Sequence, residues 1–501
     1  MKKAVVDSSK LFARRNRLIE DNPSKYYPSI ERGGSSVKEF VEKWRGLDSS
    51  AHVASESLRG RVSGVRSAGK NMCFLDLGGL QVVMNSREMA GRNDSLNLAQ
   101  RYRAGDYVLV NGRPGLTEKQ RTLSIRAETP PTVLAAAAQP LPPSLEDRAK
   151  LKQNRVLDYQ LNGVEMLVTR HKVTRALREF LDAREFVEVE TPILSNKANG
   201  ASAEAFVTYS NALPENEKRL ELRVAPELWL KRLVIGGLER VYELGKVFRN
   251  EGIDATHNPE FTTLEFYQAY VTMEDLIENV SHMLVHVCSS VSELPMAQRL
   301  LSELETRGLQ RLDFVDTLSK ETGSDFHAVQ DWSNPESLWE ATPIGDRSKL
   351  FPEGPGALSP SQMWNRLGGY YVEDRHCNDL CPTLICHHPS IISPLAKPHG
   401  KRLSKRFEMF IGGKEYINAY EEENCPQRQL QSFKDQAQTL LQYGDKESLS
   451  VDEAYVEAMK WGMPPTGGVG LGIDRLVMLL LGGKRIEEVL AFGCLDDVNR
   501  Q

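Results

Sequence analysis

Apolar and polar positions alternate with two different periods along this chain. Between residues 58 and 127 the period is two: LRGRVSGV (58–65), MCFLDL (72–77), LQVVMN (80–85), YVLVNGR (107–113) and LSIRA (123–127) read as strands, punctuated by Gly, Asn and Lys. A helical stretch, SREMAGRNDSLNLAQRY, falls between the third and fourth. Further on, HKVTRALREFLDAREFVEVETPIL (171–194) begins with helical spacing and passes into the alternating FVEVE, which Thr191-Pro192 ends at a sheet edge. FRNEGIDATHNPEFTTLEFYQAY (248–270) reads as two strands flanking a polar loop, with charges where a buried strand would carry Val or Ile. Helices, a weakly patterned region at 296–365 and a final strand-rich part follow, the mixture expected of an α+β domain with an antiparallel sheet.

Between the two patterns lies TPPTVLAAAAQPLPPSLEDRAK (129–150), rich in Pro and Ala and without alternation. The expected division is an N-terminal module at 1–131, a linker at 132–158 and a larger domain at 159–501. Charge sharpens that division. The net charge of −5 conceals 25 Lys and Arg against 16 Asp and Glu in residues 1–150, and 38 against 52 in the remainder. A basic module joined to an acidic one suggests a polyanion on the first. Five strands with a helix after the third, on a basic chain, suit a small β-barrel of the OB type. There Phe74 is either a core residue or, in the other register, an exposed face on which a base can stack, with Gln81 able to read its edge.

Composition excludes other classes. No apolar run reaches membrane-spanning length, LVMLLLGG at 476–483 included. Seven cysteines spread over 501 residues form no disulfide framework, so a reducing compartment is expected. HCNDLCPTLICHH (376–388) concentrates cysteine and histidine, but its C-x3-C-x4-C spacing fits no common zinc site and no zinc is expected. The N-terminal MKKAVVDSSKLFARRNRL reads either as a matrix-targeting remnant or as a basic solvated helix.

Three stretches carry chemistry. Arg249 and Glu251 share one face by period two, as do Phe261, Glu265 and Tyr267. In RFEMFIGGKEYINAYEEEN (406–424), Glu408 and Glu415 flank Gly412-Gly413, and a hairpin could bring them together as a hard-oxygen site for Mg²⁺. In PPTGGVGLGIDR the glycines, Gly472 among them, let backbone approach a ligand, and Arg475 falls in the first turn of the helix beginning near Ile473.

Taken together, the Pro-terminated helix-strand, FRNEG…HNPEFT and GxGxGIDR resemble motifs 1, 2 and 3 of the class II aminoacyl-tRNA synthetases, and within subclass IIb the stretch 223–270 resembles the lysyl-tRNA synthetases. CPTLICHHPSIISPLAK (381–397) agrees. The resemblance implies ATP, L-lysine and tRNA(Lys) as substrates, Mg²⁺ with the ATP, a homodimer formed through motif 1, and no membrane. It implies that Arg249 forks onto the reacting carboxylate and α-phosphate, that Gly200 and Glu227 meet the α-ammonium, and that Glu265, Tyr267 and Glu422 hold the ε-ammonium. It further implies that Asn418 lines the pocket, that Phe261 stacks on adenine with Glu251, His257, Asn258 and Gly472 nearby, and that Arg475 meets the γ-phosphate. By the same resemblance Phe74 and Gln81 contact the anticodon. Thr256 stands where bacterial relatives carry arginine, and the turn at DLGGLQ is shorter than theirs. A lysine-rich extension usual in cytosolic eukaryotic relatives is absent, which favours the mitochondrial matrix over the cytoplasm. Aspartyl or asparaginyl sister enzymes and a non-canonical regulator or protein lysyltransferase on the same scaffold remain as alternatives.

Overall fold

Two units divide the chain, Met1–Leu151 and Lys152–Gln501. The computed structural model describes all residues except 1–7, 31–32, 49–52, 69–70, 91–100, 118–120, 140, 143–146, 148–150, 152–153, 202, 215, 446–448 and 493–501. Both units mix sheet and helix, so the α+β class holds.

In the N-terminal unit a helix α1 (Ser8–Asp21) precedes β1 (Ser35–Ser36) and α2 (Val37–Trp44). The Ser36 side chain accepts from the Glu39 amide while Glu39 reaches back to the Ser36 amide, a capping box that starts α2. The strands are β2 (Glu56–Arg61), β3 (Gly64–Ala68), β4 (Met72–Leu77), β5 (Leu80–Asn85), β6 (Tyr107–Leu116), β7 (Leu123–Ala127) and β8 (Thr132–Ala135). They pair in the order β1-β2-β6-β7-β5-β4-β3, with β8 also on β6. The sheet therefore has eight strands where the alternation predicts five. The stretch 58–65 breaks at Val62-Ser63, where the Val62 amide donates to Asp106 and the Ser63 amide to Asp76, so one predicted strand serves two neighbours as β2 and β3. Thr132–Ala135, assigned to the linker by its composition, pairs with β6. Most of the helix expected at 86–102 lies outside the described residues. Leu58, Leu75, Val82, Val110 and Ile125 fill the interior with Phe40 of α2.

The basic N-terminal helix is not simply solvated. Arg15 is 5% exposed, and its Nη2 donates to both carboxylate oxygens of Asp106, at 2.7 Å to each. Asp106 also accepts from the Ala137 and Arg103 amides. A buried carboxylate thus ties α1, the start of β6 and the segment after β8 together.

The C-terminal unit is built on a second eight-stranded sheet. Its elements are α3 (Glu165–Asp182), β9 (Val187–Glu188), α4 (Glu227–Ile235), β10 (Arg240–Phe248), β11 (Glu260–Ala269), α5 (Met273–Ser290), β12 (Gln310–Asp313), β13 (Thr383–Cys386), β14 (Arg406–Ile411), β15 (Lys414–Glu421), β16 (Thr466–Gly472) and α6 (Ile473–Leu481). The strand order is β12-β13-β14-β15-β16-β11-β10-β9, antiparallel through the middle with one parallel pair at each edge. Leu264 and Phe266 of β11, Ile417 of β15 and Val469 of β16 face Leu177 and Phe180 of α3, Val280 of α5 and Val477 of α6. Each such side chain fully removed from water contributes roughly 1.5–3 kcal/mol, which makes this layer the main stabilising face of the sheet. In the region 296–365, unreadable by periodicity, a helix over Pro295–Arg307 packs on the main core and β12 follows, and short helices beyond it surround Trp332 and Trp364, whose rings lie 4.9 Å apart.

Asp106→Asn leaves Arg15 buried without its counter-charge, and the expected loss is about 3 kcal/mol of N-terminal unit stability. Hydrogen exchange across β2–β8 measures it, and unchanged protection there contradicts the anchoring role.

Candidate active site

The face of the sheet opposite the helices carries charge, because every site strand alternates. Along β11, Phe261, Thr263, Glu265 and Tyr267 point away from Leu264 and Phe266. Glycines dominate the same face of β16, where Gly470 lies opposite both Glu265 and Asn418, and Gly468 opposite both Tyr267 and Tyr420. A Cβ on Gly468 would collide with the Tyr267 ring and the Glu422 carboxylate, whereas one on Gly470 would find its nearest atom at 3.7 Å. β14 and β15 turn through Gly412 and Gly413, at φ 57° and 74°, the left-handed pair that a two-residue hairpin needs. A bulge follows: Phe410 pairs with Glu415 but Met409 with Ile417. The extra residue, Tyr416, lets Glu415 and Asn418 face the same side as Glu408.

These side chains, with Gly200, Glu227, Arg249, Glu251, His257, Asn258, Glu422 and Arg475, line one cavity of about 400 Å³. At one end Glu227, Glu265 and Glu422 are each less than 9% exposed. Tyr267 donates to Glu265 at 3.0 Å and Tyr420 to Glu227 at 2.6 Å. Burial keeps both phenols protonated far above their ordinary range. Lys231, one helical turn after Glu227, is wholly buried; its ammonium meets Glu227 at 2.5 Å and also contacts Glu422. Burial opposes that charge, but the two carboxylates hold Lys231 protonated above the ordinary lysine range. Burial and the neighbouring Glu227 push Glu265 up to about 8. Glu422 Oε1 has no hydrogen-bond partner. Gly200, at φ 102°, packs against Glu227, with its Cβ position 3.3 Å from that of the glutamate.

Arginines and two further carboxylates mark the other end. Arg406 contacts Glu408 and donates to Asn418 at 3.1 Å, and His388 lies 3.3 Å from Glu408. Burial alone would raise Glu408, but Arg406 and His388 hold it at about 2. Glu415 is raised by burial and by repulsion from Glu408. Two neighbouring carboxylates that repel each other, Glu408 largely buried and Glu415 partly exposed, on a face open to the cavity fit a hard divalent cation completed by phosphate oxygens. Arg475 donates to the Glu415 carbonyl at 2.8 Å and to His257 Nε2 at 2.8 Å. Because arginine only donates, His257 carries its proton on Nδ1 and donates it to Asp254, 2.8 Å away. Asp474, beside Arg475, points the other way, accepting from the Thr262 amide and pairing with Arg170 at 2.6 Å, which fixes α6 against β11 and α3. The Arg249 guanidinium lies over the Phe261 ring at 5.2 Å.

Residues 147–495 match the family of class II tRNA synthetases (D, K and N). The chain belongs to this family. It is 44% identical to "Lysine--tRNA ligase, mitochondrial" of Saccharomyces cerevisiae, across 99% of this chain and 94% of that protein. The mitochondrial lysine--tRNA ligase of Schizosaccharomyces pombe is 35% identical across 94% of this chain and 90% of its own, and the lysine--tRNA ligase of Lactococcus lactis subsp. cremoris MG1363 40% across 83% and 82%.

Within this synthetase the fifteen catalytic-domain residues singled out in the sequence all line the cavity, but two local readings change. Arg249 and Glu251 lie beyond the end of β10 at Phe248, in the loop that leads to β11, so a strand alternation does not align them. The loop is fixed instead by amides, with Arg249 donating to Pro259 and Asn250 to Glu204. The glycine run is the strand β16, and at Gly468 the space is taken by the protein's own Tyr267 and Glu422, not by a ligand. In the N-terminal unit Phe74 and Gln81 lie on the outer face, alternating with buried Cys73, Leu75, Leu80 and Val82. Arg66 lies over the Phe74 ring at 5.9 Å. Sequence reasoning missed Lys231, Tyr420, Arg406, His388, Asp254 and Glu373, the last pushed up to about 8 by burial and by Glu408 and Glu415. The i,i+4 spacing of Glu227 and Lys231 was the one available signal. In the 376–388 cluster His376, His387 and His388 each face a different carboxylate: Glu321, Asp313 and Glu408. Among the described residues no group of three or more acidic, His or Cys side chains is arranged to hold a metal, and no helix is long and apolar enough to cross a membrane.

Gly468→Ala forces Tyr267 and Glu422 apart and is expected to cost about 1–3 kcal/mol of catalytic-unit stability. Gly470→Ala, facing open cavity, is expected to cost less than about 1 kcal/mol. Denaturant midpoints of the two variants measure the difference, and equal losses contradict this packing.

Proposed function

We propose that the chain activates L-lysine with ATP to lysyl-adenylate and transfers the lysyl group to the 3′-end of tRNA(Lys). The observation that carries this reading is the buried trio Glu227, Glu265 and Glu422, of which Glu422 keeps an unpartnered oxygen. Buried carboxylates lacking cations are costly, so this end of the cavity favours a guest that brings positive charge. Lysine brings two ammonium groups. Glu227 beside Gly200 suits the α-ammonium; Glu265, Tyr267 and Glu422 suit the ε-ammonium. An aspartate or asparagine side chain would leave these carboxylates unmatched, which argues against the sister specificities.

Arg249 can fork onto the lysine carboxylate and the α-phosphate, holding the attacking oxygen in line. The carboxylate attacks the α-phosphorus, pyrophosphate leaves, and a terminal ribose hydroxyl of the tRNA then displaces AMP from the carbonyl carbon. Phe261 stacks on adenine, with Glu251, Asn258 and Gly472 nearby. His257 lies near the nucleotide and holds Arg475, which meets the γ-phosphate. Glu408 and Glu415 would hold Mg²⁺, which neutralises charge on the leaving pyrophosphate. Placement and charge stabilisation supply the rate, and no side-chain nucleophile is needed.

Two further assignments extend this reading. The N-terminal unit serves as an OB-type anticodon-binding domain, with Phe74 stacking on a base and Gln81 reading its edge. Support comes from the outer-face placement of both residues and from β2 and β3, adjacent in sequence yet paired toward opposite ends of the sheet. The protein acts as a homodimer in mitochondria. Exposed Val168, Val187, Ile193, Leu194, Val207 and Tyr209, gathered on the motif 1 segment and the short strands after it, supply an apolar surface for a second copy, and two of the matched relatives are mitochondrial enzymes.

ATP–pyrophosphate exchange is expected with lysine and not with aspartate or asparagine; a folded protein giving no lysine-dependent exchange contradicts the reading and favours a regulator. The pH dependence follows from Glu265. With its pKa near 8 in the empty site it holds a proton at neutral pH, and a bound diammonium ionises it, so lysine binding releases a proton. The lysine KM is therefore expected to fall by about tenfold per pH unit between pH 6 and 7, flattening near 8. Glu265→Gln is expected to bind more weakly and to lose this slope; a slope retained in that variant contradicts the assignment.

A further inference from the structure

Outside the residues that meet substrate, one charged group is buried more deeply than any of them. Lys231 is 0% exposed, and its ammonium lies between Glu227 and Glu422, the carboxylates proposed to meet the two ends of the substrate's charge. It also lies 5.4 Å from the Tyr420 ring centre and 5.9 Å from that of Tyr267. The neutral phenols of Tyr267, Tyr420 and Tyr455, the Glu265 carboxylate and, further out, Arg232 complete the titratable and charged surroundings of this cluster.

We infer that Lys231 is a specificity-determining positioning residue: its buried ammonium braces Glu227 against Glu422 and sets the charge that the amino-acid pocket presents to its guest. The charge count is the argument. With the guest bound and all three carboxylates ionised, one protein ammonium leaves two negative charges, and the guest's two ammonium groups bring the cluster to zero. An amino acid with only one ammonium group leaves a buried carboxylate unmatched, and an acidic side chain worsens the imbalance. Geometry adds to this. Glu227 sits on α4 and Glu422 just beyond β15, two elements that the Lys231 side chain and the Tyr420 hydroxyl tie together. Without the ammonium the two carboxylates repel, and one of them takes up a proton in the empty pocket.

This inference rests on the lysine reading above, and its test separates the two. Lys231→Met removes the charge and keeps the aliphatic stem; Lys231→Gln serves if the Met variant does not fold; Lys231→Arg retains the charge. In the neutral variants the lysine KM is expected to rise about 30-fold or more while the ATP KM stays within threefold. Calorimetry in buffers of different ionisation enthalpy is expected to show about one more proton released per lysine bound than in the parent, because the newly protonated carboxylate must ionise to receive the diammonium. The Arg variant is expected to keep the parent proton count whatever its affinity. A structural role alone would not move that count. A neutral variant with the parent's proton count and a lysine KM within threefold overturns the inference. Absence of lysine-dependent exchange in the parent overturns the lysine reading instead.

Discussion

A carboxylate taken out of water must meet a cation or a proton, and this constraint organises the catalytic unit. Glu227, Glu265 and Glu422 are buried at one end of the cavity, and the ammonium of Lys231 lies behind it against Glu227 and Glu422. The sheet reaches this arrangement by putting apolar side chains toward the helices, and toward the cavity polar ones from β11 and β15 and glycines from β16. Two local devices make it possible. Glycines on β16 leave room for Tyr267 and Glu422, and the bulge at Tyr416 keeps Glu415, Asn418 and Glu408 on one face.

The surroundings hold the arrangement rigid. Asp474 fastens α6 to β11 and α3 while Arg475 faces the cavity. On the far side of β10, Arg223 pairs with Glu243 at 2.5 Å, and Glu243 also accepts from the Thr191 hydroxyl, so the Thr-Pro end of motif 1 is pinned to the sheet by a buried pair. The cation-selecting end and the phosphate end therefore share one floor. Displacement of β16 would disturb both, which links recognition of the amino acid to the geometry of the in-line attack.

Much of this was legible in the chain. Phe261, Glu265 and Tyr267 shared a face by period two, and Glu408 and Glu415 flanked a Gly-Gly turn; both patterns are local, and both correspond to the strands formed. What was not legible depends on contacts distant in sequence. The loop carrying Arg249 and Glu251 is shaped by hydrogen bonds from the Arg249 and Asn250 amides to the carbonyls of Pro259 and Glu204, not by alternation. Lys231 reads as an ordinary helical lysine until β15 brings Glu422 to it. The glycine run resembles a turn because a strand without side chains loses its periodic signal. Thr132–Ala135 looked like linker because Pro and Ala dominate its neighbours, yet β6 offered it an edge. From Phe314 to residue 365 the chain is held by aromatic packing around Trp364, which has no period to detect.

The central claim is that charge, not shape, selects the guest. Calorimetric titration of the enzyme bound to α,β-methylene-ATP, which cannot yield pyrophosphate, with lysine and with norleucine, which matches its chain length but lacks the terminal nitrogen, tests it most directly. The account predicts that norleucine binds at least about 10³-fold more weakly, since it leaves Glu265 and Glu422 without a partner. Norleucine affinity within tenfold of lysine would contradict it.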